Sequence, residues 1–161
     1  MLPRISPIQK CPSCGKYYFA NNVETREGEG FCMEKGNLTY RQLKNAAVQF
    51  GETLSKSDRD TLNMLLLWGY NDLYNREGVE LEKASANEKA YIGRVLDELL
   101  DREDIDDVMR AEFLRERGCF DDALALLDKC HPKKEFLLGI VERMKEYAKD
   151  NNIIAFEIKR R

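Results

Sequence analysis

Two thiols in this chain stand close enough together to share one metal ion. Cys11 and Cys14 bracket Pro12 and Ser13, and Gly15 follows, within "CPSCGKYYF". Cys-x-x-Cys spacing sets two thiolates on one tight turn, and the glycine after it leaves backbone amides free to point at the sulfurs. Structural zinc takes four ligands in a tetrahedron. Cys11 and Cys14 supply two and Cys32 is the expected third, while Glu34 would complete the set only as an unusual mixture. Residue 35 is lysine, so Cys32 does not open a second Cys-x-x-Cys. The expected cofactor is a structural zinc, and the competing reading is a turn kept for its shape alone. A redox pair is disfavoured. Thioredoxin-like chemistry needs the motif to open a helix, where the dipole lowers a thiol pKa, whereas Tyr17, Tyr18 and Phe19 continue here as a strand.

The other chemistry-bearing residues are sparse. Asn71 and Asp72 interrupt the most apolar stretch of the chain, and Arg76 stands one helical turn beyond Asp72. Asn71, Asp72 and Arg76 are therefore the candidate binding group. The alternative is a polar clamp tying that helix to a neighbouring loop, since a buried amide or carboxylate must find hydrogen-bond partners. His131, the one histidine, follows Cys130 near a helix end and is expected to suit the C-terminal dipole rather than a metal. Cys119 and Cys130 are expected as small residues of an apolar face. Glu80, Glu82, Asp106 and Asp107 read as solvated faces and caps. No glycine-rich phosphate loop follows a strand, no serine-centred nucleophile motif occurs, and a single histidine leaves a triad little to draw on. The expectation is a non-enzyme.

These residues must be positioned by something, and the hydrophobic spacing says by what. Residues 1–37 hold three of the four prolines and three of the five cysteines and read as a small loop-rich segment. It would contain a hairpin of Tyr17–Phe19 and a return through Phe31, Cys32 and Met33, across Gly28 and Gly30. From residue 38 to 161 the apolar spacing is helical. Thr39 and Gln42 form a capping box with Leu38 and Leu43 placed as a staple. A helix starting at Ser57 is apolar nearly all round, through Leu62, Leu66, Trp68 and Tyr70, and is expected to be central. Ser85 and Glu88 open another. In all about six helices are expected, with the last eleven residues readable as strand or as a closing helical turn.

The stretch 111–132, "AEFLRERGCFDDALALLDKCHP", resembles a tetratricopeptide repeat unit, through Ala111, Gly118, Phe120, Ala123, Leu127 and Pro132. Arg110 departs from the pattern, standing where the motif prefers leucine. The whole chain is similar to an uncharacterised bacterial family that joins Cys-Pro-x-Cys-Gly zinc-ribbon-like knuckles to a helical region with a Trp-x-x-Asn-Asp segment. The matching residues are Cys11–Gly15, Trp68–Asp72 and the 111–132 unit. The resemblance implies a second knuckle upstream, so the ribbon is expected to be halved by truncation or loss. It implies no activity.

Charge and composition narrow the partners. The excess of acid lies in residues 51–132, with 11 basic and 20 acidic side chains, while each end is basic by three. A nucleic-acid protein concentrates a stronger basic field on one face, so DNA or RNA is the alternative partner and a protein the preferred one. The longest apolar run, Met64 to Trp68, is far below the roughly 20 residues that span a bilayer, and no signal peptide is legible. A cytoplasmic, mainly α-helical interaction scaffold with a zinc knuckle is the expectation. The alternatives are a nucleic-acid-associated factor and, more distantly, an enzyme at Asn71, Asp72 and Arg76.

Overall fold

A computed structural model describes residues 6–22, 38–78 and 80–156. The fold is mainly helical, with six α-helices and one two-stranded antiparallel sheet among those residues. By its contacts the chain divides into two compact units, Met1–Gly69 and Tyr70–Arg161. This division differs from the compositional one at residue 37, because the first helix packs on the hairpin.

In the first unit β1 (Ile8–Lys10) pairs with β2 (Tyr17–Phe19), with Ile8 opposite Phe19 and Lys10 opposite Tyr17. Alternation sends Ile8, Tyr17 and Phe19 inward. The strand at Tyr17–Phe19 is present as expected, but its partner precedes the cysteine turn. The expected return through Phe31–Met33 lies outside the described residues. Helix α1 (Tyr40–Phe50) buries Tyr40, Leu43 and Ala46. Its Thr39–Gln42 capping box is complete: the Gln42 amide donates to Thr39 Oγ1 and the Thr39 amide to Gln42 Oε1. Two contacts fasten α1 to the hairpin. The Gln49 side chain donates to the Tyr17 carbonyl at 2.8 Å and accepts from its amide at 2.9 Å, and the Phe19 and Phe50 rings lie 5.3 Å apart. Gln49 thus satisfies backbone groups that an unpaired strand edge would leave open.

Helix α2 (Lys56–Tyr74) begins one residue before the expected Ser57, with the Ser55 hydroxyl accepting from the Asp58 amide. Gly69 is a close-approach position, since a Cβ there would meet the Tyr40 Cβ at 3.3 Å. The expectation of a helix apolar nearly all round needs correction. Leu62, Leu66, Leu67 and Tyr70 are buried, but Trp68 is 57% exposed, and Asn63, Asn71 and Asn75 are buried with the leucines. Trp68 lies about 200° around the helix from Leu66, so the two cannot share a face.

In the second unit α3 (Ala86–Leu100), α4 (Asp107–Arg117), α5 (Phe120–Leu127) and α6 (Glu135–Lys149) pack so that α4 touches each of the other three. Ser85 and Asp106 cap α3 and α4, each accepting from the amide three residues on. Gly118, at φ +87, ends α4 in the left-handed conformation that glycine adopts without a Cβ penalty. Ala111 and Ala123 are fully buried on the two helices that flank this turn, and their small size lets those helices approach. Ala111, Leu127, Val141 and Met144 form the core, with Val108, Ile140 and Phe156 against it. Arg110, the departure from the repeat pattern, has a defined task. Its guanidinium donates to the carbonyls of Leu100 and Arg102, both at 2.6 Å, and so closes the end of α3.

After α6 the chain runs back as neither strand nor helix. It makes one parallel bridge between Ala155 and Arg76, in which the Ala155 amide donates to the Asn75 carbonyl and the Glu77 amide to the Ala155 carbonyl. No helix among the described residues is long and apolar enough to cross a membrane.

Candidate functional site

The first candidate is the cysteine turn that joins β1 to β2. The Cys11 amide donates to the Lys16 carbonyl and the Gly15 amide to the Cys11 carbonyl, both at 2.8 Å. Gly15 closes the turn at φ +72, where a side chain would be strained. Cys14 is exposed and Cys11 half-buried, and both are free thiols. Hydrogen bonds from the Cys14 backbone, and then from its side chain and from Ser13, lower the pKa of the Cys11 thiol. Such bonds favour a thiolate, the form that binds metal. The donor set therefore fits zinc as far as two ligands go. No group of three His, Cys, Asp or Glu side chains converges among the described residues, and Cys32 and Glu34 lie outside them.

The second candidate separates. Asp72 and Arg76 pair with each other along the helix surface, Nη1 to Oδ1 at 3.1 Å, with 70% and 43% of their side-chain areas exposed. Asn71 is buried and faces elsewhere. Its amide nitrogen donates to both carboxyl oxygens of Glu116 on α4, at 3.0 and 3.2 Å. Its carbonyl accepts from Asn75, which also donates to the Ile153 carbonyl at 2.9 Å. Adjacent residues on a helix point about 100° apart, so Asn71 and Asp72 do not converge on a common ligand.

Asn71 instead belongs to a partly buried polar cluster centred on α4. Arg115 is fully buried. Its Nε and Nη2 grip both oxygens of Glu112, at 2.9 and 2.6 Å, and Nη1 donates to the Asn152 carbonyl at 2.6 Å. The rings of Tyr147 and Phe156 lie 5.5 and 5.6 Å from its guanidinium carbon. This is the way a cation tolerates burial: a bidentate carboxylate, a carbonyl and two aromatic faces. Glu116, one turn beyond Glu112, has its carboxyl pushed up to about 8. Burial is the main cause and the charge of Glu112 the next, against the opposing pull of Asn71 and Arg115.

Sequence reading missed this cluster because "EFLRER" has the composition of a solvated face. The only available signal was spacing: Glu112, Arg115 and Glu116 share one side of a helix with Ala111, a residue expected to be inside. Near the cluster, Arg143 bonds Glu77, and the Tyr147 hydroxyl donates to the same carboxylate.

Of the remaining thiols, Cys130 packs against the Ala111, Leu127, Val141 and Met144 core as expected, and Cys119 does not. Cys119 is exposed at the residue before α5 rather than packed in an apolar face, because the Gly118 turn carries it outward. Cys130 is half-buried, donates its thiol to the Leu126 carbonyl, and has its pKa raised by burial and by Asp107 and Asp106. His131 lies beyond the end of α5 and is exposed. Compared with protein-family models, with curated proteins and with solved structures, the chain matches none.

Proposed function

We propose that this chain is a non-enzymatic protein–protein interaction scaffold, with a tetratricopeptide-like helical region and an N-terminal knuckle that holds a structural zinc through Cys11, Cys14 and Cys32. The observation that carries the scaffold reading is the contrast between its polar and apolar groups. Among the described residues every buried side-chain nitrogen and oxygen has a partner. The best-furnished polar cluster is consumed by internal bonds to Asn152 and Ile153. Large apolar side chains, in contrast, stand in solvent: Trp68 on α2, and Phe136 and Leu138 on α6. An exposed tryptophan is the residue type most enriched at the energetic centres of interfaces. The acidic stretch 51–132 favours a basic partner. Zinc at Cys11 and Cys14 would supply the hairpin with covalent-like order at a turn whose backbone already directs hydrogen bonds at a sulfur.

The reading is tested by affinity capture from lysate, using the full chain, Trp68→Ala, and Phe136→Ala with Leu138→Ala. The expected result is a protein retained by the wild-type chain and lost from at least one variant whose helical circular dichroism is intact. Capture unaffected by these changes, or salt-sensitive retention of DNA or RNA in its place, overturns it.

A further inference from the structure

One end of the second unit carries two turns of opposite charge. Asp101 and Glu103 stand in the turn from α3 to α4 and Asp107 opens α4, while Lys129, Lys133 and Lys134 stand in the turn from α5 to α6. All six are exposed, and among the described residues none of these six side chains forms an ion pair. The charges that do pair locally are Arg102 with Asp104 and Lys145 with Asp128 and Glu142. Asp106 adds to the acidic turn while capping α4, and Glu135 offsets one of the three lysines.

Both turns lie at the same end. Val108, just after the first turn, and Cys130, within the second, pack against one core, and Asp106 and Asp107 act on the Cys130 thiol. The acidic turn is fixed in place by the two bonds from Arg110 to the carbonyls of Leu100 and Arg102. Apolar groups stand among the charges. Met109 in the first turn of α4, and Phe136 and Leu138 in the first turn of α6, are large side chains in solvent.

We propose that this end is a docking face for a second copy of the chain, joined about a two-fold axis so that the acidic turn of each copy meets the lysine turn of the other, with Met109, Phe136 and Leu138 closed between them. A two-fold interface needs a surface complementary to itself. A face of one sign repels its own copy, whereas two signs side by side are each answered by a half-turn. A purely acidic partner would satisfy the lysines but set its charge against Asp101, Glu103 and Asp107, and a purely basic one would do the reverse. Burial of the apolar groups supplies the attraction, and the charges set the register and exclude other partners. The inference rests on the scaffold reading in taking Phe136 and Leu138 as contact residues, and it names one partner for them.

The test is sedimentation velocity on the purified full chain, from about 1 to 200 μM and at about 0.05 and 0.5 M salt. The mass is expected to rise from one chain to two with concentration, and the dimer to weaken by about tenfold or more at the higher salt. Asp101→Lys with Glu103→Lys reverses one turn, and Lys133→Glu with Lys134→Glu reverses the other. Both changes suit the fold, since they put bases at the C-terminal end of α3 and acids at the N-terminal end of α6. Each variant alone should stay a monomer, and an equal mixture of the two should recover the dimer, because each turn then meets its opposite. A wild-type chain that is monomeric throughout overturns the inference. So does a dimer that either variant retains, or a mixture of the two that stays monomeric. If a variant loses its helical circular dichroism, Phe136→Ser takes its place, with loss of the dimer expected and its retention contrary. A chain that sediments only as a monomer yet captures a foreign protein from lysate fails this inference and not the scaffold reading.

Discussion

The cysteine hairpin and the Arg115 cluster are opposite solutions to placing polar chemistry in a small protein. At the hairpin Pro12, Ser13, Cys14 and Gly15 are exposed, and the backbone directs hydrogen bonds at a thiol that no side chain in the described residues complements with further ligands. In the α4 cluster every strong polar group is answered: Arg115 by Glu112, Asn152 and two rings, Glu116 by Asn71, and Asn71 by Asn75. A site closed on itself is arranged to hold the chain together. The cluster is structural in this sense, despite its richer inventory of acids and bases, and the knuckle is the ligand-binding region we propose.

Substitutions can break this comparison, and the cluster should yield the largest effects. Arg115→Ala leaves Glu112 without its bidentate partner and removes the cation that lies against the Tyr147 and Phe156 rings. A loss of about 3–5 kcal/mol is expected from breaking a buried pair, read as a lower urea midpoint. Leu127→Ala, in the core beneath Phe156, should cost about 2–5 kcal/mol by leaving a cavity, and the same titration checks it. Thr39→Ala removes the α1 cap and should cost about 1 kcal/mol. The smallest effect is expected for Asp72→Ala, because an exposed helical pair contributes only about 0.3–0.5 kcal/mol. A loss above 1 kcal/mol there would mean that Asp72 shares the role of Asn71. Cys14→Ser should sharpen the contrast from the other side, leaving helical circular dichroism unchanged while altering metal content.

The helices were legible in the sequence because their signals are local. Thr39, Ser85 and Gly118 stand where caps and a left-handed break are required, and the apolar spacing between them is helical. The partner of β2 was not legible, since Ile8–Lys10 is three residues long and carries no alternation that singles it out. Asn71 was visible as an oddity, but its partner Glu116 is 45 residues away and looked like surface. The fate of Asn71 depends on which α4 face turns inward, and that is decided by packing of Ala111 and Phe113 rather than by any property of the glutamates. The tail was ambiguous for the same reason: what fixes Ala155 is a bridge to Arg76, which is a tertiary contact.

The proposed division between a ligand-binding knuckle and a structural cluster is tested most directly by zinc content. Elemental analysis of untagged protein, purified without chelator, should give about one zinc per chain. Cys11→Ser should lose that metal while keeping its helical content. Protein purified in the same way with no bound zinc would contradict the account, leaving the cysteine turn as a shape without a ligand.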